Sequence, residues 1–170
     1  VGGEGITITN NLISGNEADG IQFENTQDNT MTGDVLIEGN KIGTNVDGSA
    51  VLGNGDVGIN VKITGEEDAS IDLDFEISDN LISGNGGDGV ALYGGTAVLK
   101  GNYIGTDVTG ATYLGNGQEE EYFSNIYIGG GTGTSYIIGG SGEGEGNVLA
   151  GGYHDIKIEG VLYNTLLKKT

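Results

Sequence analysis

Two blocks of this chain recur, and the longer one is 16 residues. NKIGTNVDGSAVLGNG at Asn40–Gly55 comes back as NYIGTDVTGATYLGNG at Asn102–Gly117, 62 positions later. NLISGN at Asn11–Asn16 returns letter for letter at Asn80–Asn85, and in weaker form as NVLAGG at Asn147–Gly152. Around them lie short apolar runs, Leu81-Ile82, Val90-Ala91-Leu92 and Ala97-Val98-Leu99, separated by Gly, Asn and Asp clusters. Each run is too short for a helix, and each break carries residues that tolerate positive φ. Short strands, tight corners and a restart describe a chain winding into a β-solenoid, whose units bury a core only against their neighbours.

If each Asn-x-(Ile/Leu/Val) opens a coil, coils begin near Asn11, Asn40, Asn80, Asn102 and Asn147, and successive starts are 29, 40, 22 and 45 residues apart. The shortest is the bare unit of three strands, and the longer ones carry inserted loops. The expectation is one all-β solenoid domain over residues 1–170, of about five coils. The clearest strand is Ile71–Ile77, where alternation turns Ile71, Leu73, Phe75 and Ile77 inward and Asp72, Asp74 and Glu76 outward. By the counting above it belongs to the second coil. The 36 glycines come with no proline and no three-residue period, which argues against collagen and against a disordered linker.

Charge narrows the functions. There are 25 acidic residues against 6 lysines and no arginine, for a net charge of −19. Nucleic-acid binding, which depends on Lys and Arg neutralising phosphates, is excluded, and anionic membrane surfaces are disfavoured. No apolar run approaches the ~20 residues that span a bilayer, so membrane insertion is not expected. No cysteine is present, so no disulfide framework exists. A first residue other than Met suggests a processed form or a fragment.

The strings NLISGNGGDGV, NYIGTDVTGATYLGNG and YIIGGSGEGEGNVL resemble the repeats of secreted bacterial right-handed parallel β-helix proteins of the pectate-lyase-like superfamily. The resemblance runs from about Ile6 to Glu159. It implies three parallel sheets, a rise of about 4.8 Å per coil, a stub roughly 24 Å tall, and an extracellular or cell-surface location. It is specific for fold and says little of activity, because that superfamily holds lyases, hydrolases, adhesins and structural proteins alike.

Catalysis finds little support. The lyases of the superfamily use an Arg or Lys base with calcium-binding carboxylates, and its hydrolases use clustered Asp with Gly-His-Gly and Arg-x-Lys. Neither set is here: arginine is absent and the only histidine is His154. Two carboxylates at a set separation would suffice for a glycosidase, which keeps Asp72, Asp74 and Glu76 in view. No organic cofactor is indicated. Calcium could find hard oxygen ligands at Glu66, Glu67, Asp68, Asp72 and Asp74, or at Glu119–Glu121. Tyr93, Tyr103 and Tyr113 could form a sugar-stacking face for a polysaccharide, or serve packing and subunit contact. Asn11, Asn40, Asn80, Asn102 and Asn147 are expected to stack as a structural ladder at one corner.

No polar cap is recognisable at either end, although solenoids normally close with one. The leading expectation is therefore a non-enzymatic structural protein that assembles head to tail with itself into a filament. Ile6, Ile8, Ile156 and Leu166 would form the subunit contact, with Lys168 and Lys169 near acidic groups of the neighbour. The alternatives are a segment of a larger adhesin or carbohydrate-binding passenger, and, third, a polysaccharide-active enzyme.

Overall fold

In the computed structural model, residues 5–24, 32–63, 72–117, 122–130 and 134–160 are described. No helix occurs among them; fifteen strands do the work. Strands β1 (Ile6–Thr9), β4 (Thr32–Glu38), β7 (Asp72–Ser78), β10 (Thr96–Lys100) and β13 (Ser135–Ile138) pair in that order as a first sheet. The second sheet is β2 (Leu12–Ile13), β5 (Lys41–Ile42), β8 (Leu81–Ile82), β11 (Tyr103–Ile104) and β14 (Val148–Leu149). The third is β3 (Ile21–Glu24), β6 (Ile59–Lys62), β9 (Val90–Tyr93), β12 (Ser124–Ile128) and β15 (His154–Ile158). Every strand-to-strand pairing is parallel, and each sheet takes one strand per circuit of the chain. The protein is a right-handed parallel β-helix of five coils.

Register builds the core. On the second sheet Ile13, Ile42, Ile82, Ile104 and Leu149 lie one above another. On the third, Ile21, Ile59, Val90, Ile126 and Ile156 do the same. The middle members of both columns are buried, whereas Ile13 and Leu149 are only partly so. A coil covers its neighbour's apolar residues, so only interior coils are covered on both sides. In β7, Leu73, Phe75 and Ile77 are buried and Asp74 and Glu76 are exposed, as period-two alternation requires; Ile71 lies outside the described residues.

The coil phase differs from the one counted from the asparagines. Each coil-start Asn sits at the corner between the first and second strands, so the first strand of every coil precedes it. β1 is thus part of the first coil, and the strand over Asp72–Ser78 opens the third coil, not the second. The sequence places an asparagine where the chain turns most tightly, which is mid-circuit.

The 16-residue repeat makes two flaps on the second and fourth coils, closed by antiparallel bridges Thr44–Val51 and Thr106–Tyr113. Asn45 Oδ1 accepts from the N–H groups of Ser49 and Ala50, and Asp107 Oδ1 from those of Thr109, Ala111 and Thr112. The flaps touch: Val108 N–H donates to Gly48 O at 2.9 Å. At Gly48, with φ at +72°, an added Cβ would press on Leu81 Cδ2 at 2.7 Å, so the first flap lies against the outer face of the second sheet. Flapless and flapped coils therefore alternate.

Candidate functional site

The five expected asparagines form one column. The backbone N–H and Nδ2 of Asn11 both donate to Asn40 Oδ1, at 2.9 and 3.1 Å. Asn40 repeats this to Asn80, Asn80 to Asn102 and Asn102 to Asn147, at 2.9–3.1 Å throughout. The second Nδ2 hydrogen returns to a carbonyl of the coil below, as from Asn80 to Ile37 O at 2.8 Å. Asn40, Asn80 and Asn102 are buried, with donors and acceptor satisfied. The column has a direction: donors point toward the C-terminal end and acceptors toward the N-terminal end. Among the described residues, Asn11 Oδ1 receives no hydrogen bond and Asn147 N–H gives none.

A second column escaped the sequence reading. Asn16 Nδ2 donates to Asn54 Oδ1 at 2.7 Å, Asn54 to Asn85 at 2.8 Å and Asn85 to Asn116 at 3.0 Å. It continues sideways through Asn125 and ends where Asn125 Nδ2 meets Asp155 Oδ1 at 3.0 Å. The signal was available, since both repeated blocks carry an Asn at this position as well as at their start.

The two ends of the described stack are apolar and unpaired. β1, β2 and β3 have a sheet neighbour on one side only, as do β13, β14 and β15. Ile6 is 40% exposed at one end and Ile156 42% at the other, with Leu12, Ile137, Val148 and Ile158 similarly open; Ile8 is half-buried. Leu166, Lys168 and Lys169 lie outside the described residues.

The three tyrosines of the expected sugar face are not brought together. Tyr93 is on the third sheet, Tyr103 on the second, and Tyr113 is in the second flap. The structure instead sets Tyr93 against Tyr127, ring centroids 5.2 Å apart. Lys157 Nζ lies 5.8 Å from the Tyr127 centroid and 2.9 Å from Glu159 Oε1, while Tyr127 Oη donates to Glu159 Oε2 at 3.1 Å. Next to this group Asp88 is buried, its Oδ1 accepting Ser124 N–H at 2.5 Å. Burial lifts the Asp88 carboxyl to about 6 and Asp56 adds to the rise, against the lowering effects of the Ser124 bond and Lys157. Burial, then the bond to Glu159, pushes the Tyr127 phenol up to about 12. Lys157 and Tyr127 hold Glu159 below its ordinary range.

Of the acidic candidates, Glu66, Glu67, Asp68 and Glu119–Glu121 lie outside the described residues, as does the side chain of Asp72. Asp74 is exposed, opposite Asp34 of the neighbouring strand. Glu76 is held by Lys100 at 2.8 Å. Among the described residues no three His, Cys, Asp or Glu side chains converge as a metal site.

The profile of a family described as periplasmic copper-binding protein (NosD) matches residues 3–148. The chain belongs to the NosD family. No curated protein and no solved structure matches it. Copper favours thiolate, thioether and imidazole donors, and this chain has no Cys, one Met and one His. His154 opens the last strand of the fifth coil, and Met31 lies outside the described residues. The His154 ring packs on Tyr153 with centroids 4.8 Å apart. The donor set of this chain does not fit a copper centre.

Two outcomes follow from these contacts. Asn80→Ala strands buried partners on both neighbouring coils and should cost about 2–4 kcal/mol in urea unfolding, whereas Asn11→Ala at the open end should cost under about 1 kcal/mol. For Asp88, folding raises the pKa above the unfolded value, so the carboxyl favours the fold only while protonated. That contribution is full below the carboxyl's ordinary value of 3.8 and is lost as pH rises through about 6. Asp88→Asn should therefore stabilise the protein at pH 8, by about 1–3 kcal/mol in chemical denaturation, and flatten the pH profile between.

Proposed function

We propose that this protein is a non-enzymatic scaffold of the cell envelope or exterior that lengthens by end-on stacking of identical copies into a filament. The periplasmic description of its family supports the location. The directional asparagine column carries the assembly: Asn147 N–H of one copy and Asn11 Oδ1 of the next, each unpaired among the described residues, are the donor and acceptor that would continue it. β-Augmentation would continue all three ladders across the joint, with Ile6 of one copy following Tyr136 of the other in register and Ile21 covering the exposed Ile156 that ends its column. The contact is heterologous and does not close, so it propagates. Each copy carries −19, so repulsion opposes stacking and salt relieves it. Sedimentation velocity and negative-stain imaging should show short particles at low salt, and rods in steps of roughly 24 Å at moderate salt. Ile6→Lys with Ile156→Lys should keep the protein monomeric. Wild-type monomers at every salt concentration would refute the reading.

A second reading draws on the Tyr93–Tyr127 pair, whose rings, with Glu159 and Lys157 alongside, offer stacking and hydrogen bonding to a polysaccharide. In affinity electrophoresis through gels containing acidic or neutral glycans, retardation that Tyr127→Ala abolishes would support it. Mobility unchanged by every glycan would dismiss it.

A further inference from the structure

We propose that the second asparagine column holds three latent modification sites, Asn54, Asn85 and Asn116, at which opening of the stack permits succinimide formation and irreversible loss of the side-chain amide. Every Asn-Gly pair in the chain lies in this column: Asn54-Gly55, Asn85-Gly86 and Asn116-Gly117. Asparagine before glycine is the arrangement most open to this reaction, because no Cβ on the following residue hinders attack. The glycine backbone nitrogen, having lost its proton, attacks the asparagine Cγ. A C–N bond forms and ammonia leaves, giving a five-membered succinimide. Water then opens either carbonyl to yield aspartate or isoaspartate. The net change is gain of water and loss of ammonia, with no oxidation or reduction.

The stacked coils oppose each step. The nucleophile is occupied, since Gly55, Gly86 and Gly117 N–H donate to the carbonyls of Asn16, Asn54 and Asn85 at 2.8, 2.9 and 2.8 Å. The electrophile is pinned as well. Oδ1 of Asn54, Asn85 and Asn116 accepts from the asparagine one coil below, and their Nδ2 groups donate to the carbonyls of Ile13, Ile42 and Ile82. All three side chains are at most 2% exposed, so water is kept from the ring-opening step. Swinging Cγ toward the glycine nitrogen breaks both sets of bonds, which happens only when neighbouring coils part.

The product would not restack. A carboxylate accepts but does not donate, so aspartate at position 85 would face Asn116 Oδ1 as acceptor against acceptor and leave Ile42 O unpaired. The molecule already has one carboxylate in this column, Asp155, and it stands at the end, where it only has to accept. Deamidation within the column thus creates a terminus, and each opened coil risks becoming a permanent break.

The test is isoaspartate and deamidation mapping by mass spectrometry of the whole chain, held in mildly alkaline buffer with and without denaturing urea. Modification at Asn54, Asn85 and Asn116 should be at least about a hundredfold slower in the folded protein than in urea. Equal rates in the two conditions would overturn the proposal, as would a chain in urea that deamidates chiefly at asparagines outside Asn-Gly pairs. The product is mimicked by Asn85→Asp and, nearer the end, Asn116→Asp. Unfolding at lower urea concentration in both, with the larger shift for Asn85→Asp, is expected. Wild-type midpoints in both would contradict the predicted break.

Discussion

The structure depends on buried side-chain amides that are satisfied only by the same amide one coil away. Burying a primary amide without partners costs on the order of 1–3 kcal/mol, and Asn40, Asn80 and Asn102 avoid that cost through one another. The apolar columns supply most of the drive to stack, but that drive has no direction: isoleucine on isoleucine tolerates a tilt or a slip. The asparagines do not. A displaced coil leaves an Oδ1, an Nδ2 and a backbone N–H without partners at once, so two columns at two corners fix the register that the short strands alone specify weakly. The same geometry gives the tube two chemically different mouths, one rich in acceptors and one in donors.

Outside the tube the chemistry is reversed. Among the described residues the hydrophobic core cluster is made of apolar side chains and Tyr136, while exposed faces set acid beside acid, as at Asp34 and Asp74, with few cations to relieve them. Lys100 with Glu76, and Lys157 with Glu159, are exposed or partly exposed pairs worth little to stability. Their positions matter more than their energies, since Lys157 joins a tyrosine pair to a buried carboxyl on one face. The flaps, packed against the second sheet and against each other, leave the third sheet as the face with the most organised polar and aromatic groups.

Much of the fold was legible because it is written twice. Leu81-Ile82, Val90–Leu92 and Ala97–Leu99 lie within β8, β9 and β10, and the NLISGN and LGNG strings mark corners. What could not be read was phase. An asparagine repeats once per coil whether the turn it makes opens the coil or divides it, so β7 was counted one coil early. The faces were hidden for a related reason. Tyr93, Tyr103 and Tyr113 are evenly spaced in sequence, yet two corners and the strand β10 between them separate the first two, which emerge on different sheets. Tyr93 and Tyr127 are far apart in the chain and meet because parallel pairing sets Ala91 beside Tyr127. The family match adds the fold's kinship, but its copper finds no matching donors in this chain's one histidine and one methionine.

Amide hydrogen exchange of the dilute, low-salt monomer tests most directly whether the asparagine columns hold the coils in register. Protection of the column N–H groups should be greatest at Asn40 and Asn80, and should fall to that of an open amide at Asn147. A flat profile, or Asn147 protected as strongly as Asn80 in the monomer, would contradict an account in which each amide is secured by the coil above it.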